Sequence, residues 1–153
     1  MEKEIEIEFS KLNLAYVVVK QFIEDESFEK IKSINNKVTE DLGLTGDDNY
    51  DMLIKFVDKF ELDYSDFKYD DHFYSEGELF GSEAAFWNFL TLSIWLPMKT
   101  IELLSFNKLQ LKKPSFYTPN RAVKDLTFKE MVSWYVEGKF QENPIKYIIA
   151  TNT

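Results

Sequence analysis

The stretch Thr45-Gly46-Asp47-Asp48 and the residues behind it constrain the fold of this chain most. Tyr50, Leu53, Ile54, Val57 and Phe60 recur at i, i+3, i+4, i+7 and i+10, which sets them on one side of a helix. Thr45 has the hydroxyl of an N-cap, and Asp48, three residues on, has the carboxylate that closes a capping box. Asp47, Asp48 and Asp51 fill the first turn, where negative charge meets the positive end of the helix dipole. The pattern predicts an amphipathic helix from about Gly46 to Phe60, and its apolar stripe needs a core to bury against.

Other segments supply that core. Leu12, Tyr16, Val19 and Ile23 have helical spacing and predict a helix over Leu12 to Glu24. Before it, Lys3 to Ser10 alternates charge with Ile5, Ile7 and Phe9, a period that allows a short strand. Residues 25–44 read as a long connection anchored by Ile31, Ile34, Val38 and Leu42. Glu61 to Tyr69 reads as an ordered loop, and Asp70 to Tyr74 as a short helix that ends near Gly77. Ser82 caps a further helix from Glu83 to about Leu96, broken at Pro97, followed by an apolar piece from Met98 to Phe106 and a basic loop from Lys108 to Pro119. The last helix starts after Asp125 or Thr127, uses Phe128, Met131, Val132, Tyr135 and Val136, and stops at Gly138. The expectation is an all-α fold in a single domain, residues 1–153.

Composition narrows the function classes. With 44% apolar and 16% aromatic residues in 153, the chain has the material for one packed domain and is too apolar for disorder. It has no Cys, which removes disulfides, thiolate catalysis and Cys-bound zinc and fits the cytoplasm. Met1 to Glu8 is charged where a secretory signal is apolar. The longest uncharged stretch, Ala84 to Met98, is 15 residues, short of the roughly 20 that a bilayer span needs. The net charge of −9 is uneven, because residues 40–78 carry 13 acids against three bases. An acidic middle argues against nucleic acid there. It is either a solvated face or a surface for a basic partner.

Asp41-Leu42-Gly43 ahead of the acidic-headed helix, with Phe60-Glu61-Leu62-Asp63 behind it, resembles the acyl carrier protein family. In that family Asp-Leu-Gly is followed, after two residues, by the serine that carries phosphopantetheine. Here Leu44 and Thr45 are the two residues, and the serine position is Gly46. The run from Asp125 to Val132 resembles the family's threonine-led fourth helix. A closer resemblance is to the bacterial domain of unknown function 1493 family, itself similar to carriers, through Asp41 to Leu44, Gly46-Asp47-Asp48, Asp66-Phe67, His72-Phe73, Glu76-Gly77 and Glu137 to Phe140. The likeness covers roughly Leu12 to Gly77 and Lys124 to Phe140. It implies an acyl-carrier-protein-like four-helix bundle over about 12–81 and 123–140, with an apolar helical insertion over about 82–122. Thr45, Gly46, Asp47 and Asp48 would be the carrier-loop equivalent. Gly46 has no oxygen for a phosphopantetheinyl transferase to modify, and Thr45 and Ser65 are the nearest hydroxyls.

Other constellations have simpler explanations. Asp47-Asp48-x-x-Asp51 resembles the magnesium-binding motif of isoprenoid enzymes, but a second such motif is missing and first-turn capping accounts for these acids. Asp63 to Glu76 lacks the central Gly of a calcium loop. His72, the only histidine, stands beside Asp70, Asp71 and Glu76, either as an acid/base cluster or as a hydrogen-bonded structural residue. With no Gly-x-Ser-x-Gly turn and no Gly-rich phosphate loop, we expect no catalytic residue, cofactor or metal. Phe86, Trp87, Leu90, Ile94 and Trp95, with Phe89, Leu92 and Leu96, are apolar all round a helix. That helix is core, or an interface for a protein partner or a second copy, or a lipid surface helped by Lys99, Lys108, Lys112 and Lys113.

The function expected is protein–protein recognition without a prosthetic group, with Asp47, Asp48, Asp51 and Asp58 facing a basic-surfaced partner. The alternatives are a noncanonical acyl or peptidyl carrier that uses another hydroxyl, and a peripheral lipid-binding protein that uses residues 84–106.

Overall fold

The computed structural model describes residues 3–80, 82–104 and 121–150. The chain divides into two compact units, Met1–Phe73 with Val123–Thr153, and Tyr74–Ala122. The first unit contains strand β1 (Lys3–Ile7) and helices α1 (Phe9–Ser27), α2 (Asp47–Phe60) and α3 (Tyr69–His72). The second contains α4 (Glu76–Phe80) and α5 (Ser82–Leu104), and the first resumes with α6 (Phe128–Glu137) and β2 (Ile145–Ile149).

The all-α expectation is therefore corrected. β1 and β2 form a two-stranded parallel sheet, in register from Lys3 beside Ile145 to Ile7 beside Ile149. Alternation explains it: Ile7 and Ile145 are buried while Glu4, Glu6 and Lys146 are exposed, a period of two that lays one face of a strand on a core. The molecule is mixed, not a four-helix bundle.

The core of the first unit lies where α1, α2 and α6 meet. α1 buries Ala15, Val19, Phe22 and Ile23, one helical face. α2 has the expected span but is rotated from the expected stripe, because Met52 and Phe56 join Leu53 and Val57 inside while Tyr50 is exposed. α6 starts at the capping box of Thr127 with Glu130 and ends at Gly138, whose φ of 74° suits a left-handed stop. Its largest contribution is Trp134, fully buried and ringed by Phe56, Phe67 and Phe140 at 5.9, 5.0 and 5.2 Å.

The long connection before α2 is ordered by the chain that leads into α6. Val38 N–H donates to Leu126 O (2.9 Å), Phe128 N–H to Asn36 O and Lys129 N–H to Ile34 O (2.8 Å each). Ile31, Val38 and Leu42 anchor it as expected, whereas Ile34 is exposed. Asp125 starts no helix. Its carboxylate accepts the N–H groups of Thr39 (3.1 Å) and Glu40 (2.9 Å). Burial raises its pKa, and those main-chain donors work against the rise. Asp125→Ala leaves both donors without this acceptor and is expected to cost about 1–3 kcal/mol in a denaturant titration. A loss near zero would mean that the connection is held by its apolar anchors alone.

In the second unit Arg121 clamps Glu78 with two bonds (3.0 and 2.8 Å) and holds its carboxyl down at about 2. The Tyr74 hydroxyl donates to Arg121 O (2.7 Å), so the two ends of this unit are tied together. α5 passes through Pro97 instead of breaking there. Pro97 is exposed, so its ring meets solvent rather than a packed neighbour. The expected loop at Lys108–Pro119 lies outside the described residues, and so does Phe106. Among the described residues no helix is long and apolar enough to cross a membrane.

Candidate functional site

The carrier-loop equivalent is explained residue by residue as a turn that feeds α2. The Asp41 carboxylate accepts Lys37 N–H (2.8 Å), a bond that lowers its pKa. Leu42 and Leu44 are buried on either side of Gly43, which sits at φ 73°. Thr45 is not the cap. The N-cap position belongs to Gly46 at φ 58° and ψ −125°, and no side chain caps the helix. Thr45 instead offers its carbonyl to Asp48 N–H (3.2 Å), so the box expected between Thr45 and Asp48 does not form. A Ser or Thr cap needs extended backbone, whereas the chain enters α2 through a left-handed turn that favours glycine. The Tyr69 hydroxyl donates to Gly46 O (3.1 Å) and pins that turn. Burial, then the charges of Asp47 and Asp70, push the Tyr69 phenol up to about 12.

Asp47, Asp48, Asp51 and Asp58 are all exposed. Asp47, Asp51 and Asp58 stand at i, i+4 and i+11, so they share one face of α2. Asp48 and Asp51 also line a cavity of about 280 Å³ between the end of α1 and the head of α2, with Glu26, Phe28, Leu42 and Leu44. The one base in its wall, Lys55, is bound to Glu26 (2.7 Å), which raises the Lys55 pKa. At the rim Phe28 is 92% exposed and holds a left-handed φ of 58°. Sequence spacing missed Phe28 because it follows the last turn of α1 and belongs to no stripe.

The apolar candidates on α5 are mostly uncovered. Phe86, Leu90 and Ile94 are exposed, with Phe89 at 70%, while Trp95 is half-buried. The Trp87 side chain lies outside the described residues. His72 is buried and stacked on Phe67 (4.8 Å), and its Nδ1–H donates to Lys124 O (2.7 Å). That fixes the ring as a structural tie between α3 and the chain before α6. It lines a cleft of about 220 Å³ with Asp66, Asp71 and Glu142. Among the described residues no group of three or more His, Asp or Glu side chains gathers to hold a metal ion. No family model matches this chain, and no curated protein or solved structure is significantly similar to it.

Proposed function

We propose that this protein works by protein–protein recognition, without a prosthetic group, and presents the exposed face of α2 to a basic-surfaced partner. The observation that carries the reading is Asp58. Asp47 and Asp48 head α2 and help to form it, but Asp58 is exposed in its last turn, where a carboxylate meets the negative end of the dipole. Helix formation does not explain an acid there, and a partner surface does. Phe28 beside the acidic cavity supplies an exposed aromatic of the kind that anchors interfaces. Kinship with carrier-like proteins of the domain of unknown function 1493 family belongs to the same proposal and is supported by the residues Asp41 to Asp48. So does a cytoplasmic setting.

The test is Asp47→Lys combined with Asp51→Lys. A partner is first captured from the host with the tagged chain, identified by mass spectrometry and purified. The double variant is expected to weaken its binding about tenfold or more. The helix should survive, since each lost dipole contact costs only about 0.3–1 kcal/mol. Binding that persists unchanged at low salt would remove this face from consideration. A second reading, lipid binding through α5, is favoured by its exposed Phe86, Phe89, Leu92 and Leu96. Liposome flotation decides it, and a chain that stays at the bottom of the gradient ends it.

A further inference from the structure

The sheet of the first unit has two chemically different edges. Lys3 N–H donates to Pro144 O (3.3 Å) and Ala150 N–H to Ile7 O (2.9 Å), so the even-numbered residues of β2 direct their main-chain groups at β1. By alternation Ile145, Tyr147 and Ile149 direct theirs to the opposite edge. No third strand meets that edge among the described residues. A two-stranded sheet is marginal by itself, and parallel pairs are normally covered. Charged side chains guard the edge of β1, where Glu4 and Glu6 are exposed. β2 has no such guard. Its one charge, Lys146, is bound to Glu4 (2.6 Å), and Ile148 and Ile149 are 45% and 41% exposed.

We propose that the free edge of β2 pairs antiparallel with β2 of a second copy, about a two-fold axis at Tyr147. The result is a four-stranded sheet ordered β1-β2-β2-β1. This register is self-complementary. Ile145 falls opposite Ile149 and Tyr147 opposite itself, and each facing pair exchanges main-chain hydrogen bonds. Lys146 falls opposite Ile148, so no like charges meet. The same operation at β1, centred on Ile5, sets Glu4 opposite Glu6 twice, an arrangement that destabilises a strand pair. Pairing β1 of one copy with β2 of the next leaves a free edge on each added copy and gives an open chain. The closed dimer through β2 is the arrangement these edges select. Tyr147 also walls an apolar groove of about 190 Å³ with Leu12, Tyr16, Phe128 and Val132, so the seam adjoins unfilled apolar surface.

Sedimentation velocity on the full chain, from micromolar to millimolar, tests the proposal together with hydrogen exchange at the Tyr147 and Ile149 amides. Wild type should approach twice the monomer mass, with those two amides becoming protected over the same concentration range. Ile149→Pro removes a donor that β1 does not use, and Ile149→Lys buries a charge opposite Ile145. Either should raise the dimer Kd about tenfold or more, as the loss of a central edge contact does. Should the proline variant fail to fold, the lysine variant carries the result. A monomer at every concentration with freely exchanging Tyr147 and Ile149 amides overturns the proposal. So does a dimer that survives both substitutions, or growth beyond two copies.

Discussion

Replacing Trp134 by Ala is expected to cost about 3–5 kcal/mol of folding stability, read as a lower denaturant midpoint at unchanged slope. The side chain is fully buried and is the largest in the core. Its ring stacks on Phe67, meets Phe56 and Phe140 edge-on, and its indole N–H donates to Asp63 O (2.9 Å). The loss therefore combines a large cavity with a carbonyl that loses its donor. Against a typical total of about 5–15 kcal/mol, such a variant is close to unfolding. Trp134→Phe separates the two effects. It keeps most of the ring and loses the donor, for an expected cost of about 1–3 kcal/mol. If Trp134→Ala costs less than about 1 kcal/mol, the core is not organised around this ring.

Gly46→Ser restores, on paper, the hydroxyl that carrier chemistry requires. We expect it to cost about 1–3 kcal/mol and to gain no modification. A serine cap uses extended backbone, whereas Gly46 sits at φ 58° and ψ −125° with its carbonyl held by Tyr69. The serine must either strain this turn or break the Tyr69 contact. The measurement is a thermal melt together with intact mass after co-expression with a phosphopantetheinyl transferase. A stable variant that acquires the prosthetic group would show that the turn is still a working carrier loop. Wild type that acquires it would revive Thr45 or Ser65 as the acceptor.

Local pattern revealed some of these elements and hid others. α6 was legible at both ends because Thr127, Glu130 and Gly138 act within one or two turns of where they stand. The burial of Leu42 and Leu44 was also within reach, since each is apolar beside a turn glycine. Trp134 was missed because it lies between the expected stripe positions of α6, on a helix buried around much of its circumference. β2 was invisible because a short Ile145-Lys146-Tyr147-Ile148-Ile149 run shows nothing of a strand far upstream. At the candidate site, the acidic positions were plain in the sequence. Which residue turns the chain into α2 was not, because both Thr45 and Gly46 are good starts and only the backbone φ separates them.

The register of β1 on β2 has a consequence for the order in which this protein is made. Glu4 meets Lys146 across 142 positions of chain, and Thr39 meets Asp125 across 86. The first unit cannot close until nearly all of the polypeptide has been synthesised. At about 5–20 residues per second, β1 waits roughly 7–30 s for its partner strand. Residues 74–122, tied at their base by Tyr74 and Arg121, are complete before that wait ends. The apolar face of α5 and the unpaired glutamates of β1 are thus presented to the cell before the first unit has a finished core. Contacts this distant also predict slow refolding for a chain so rich in helix.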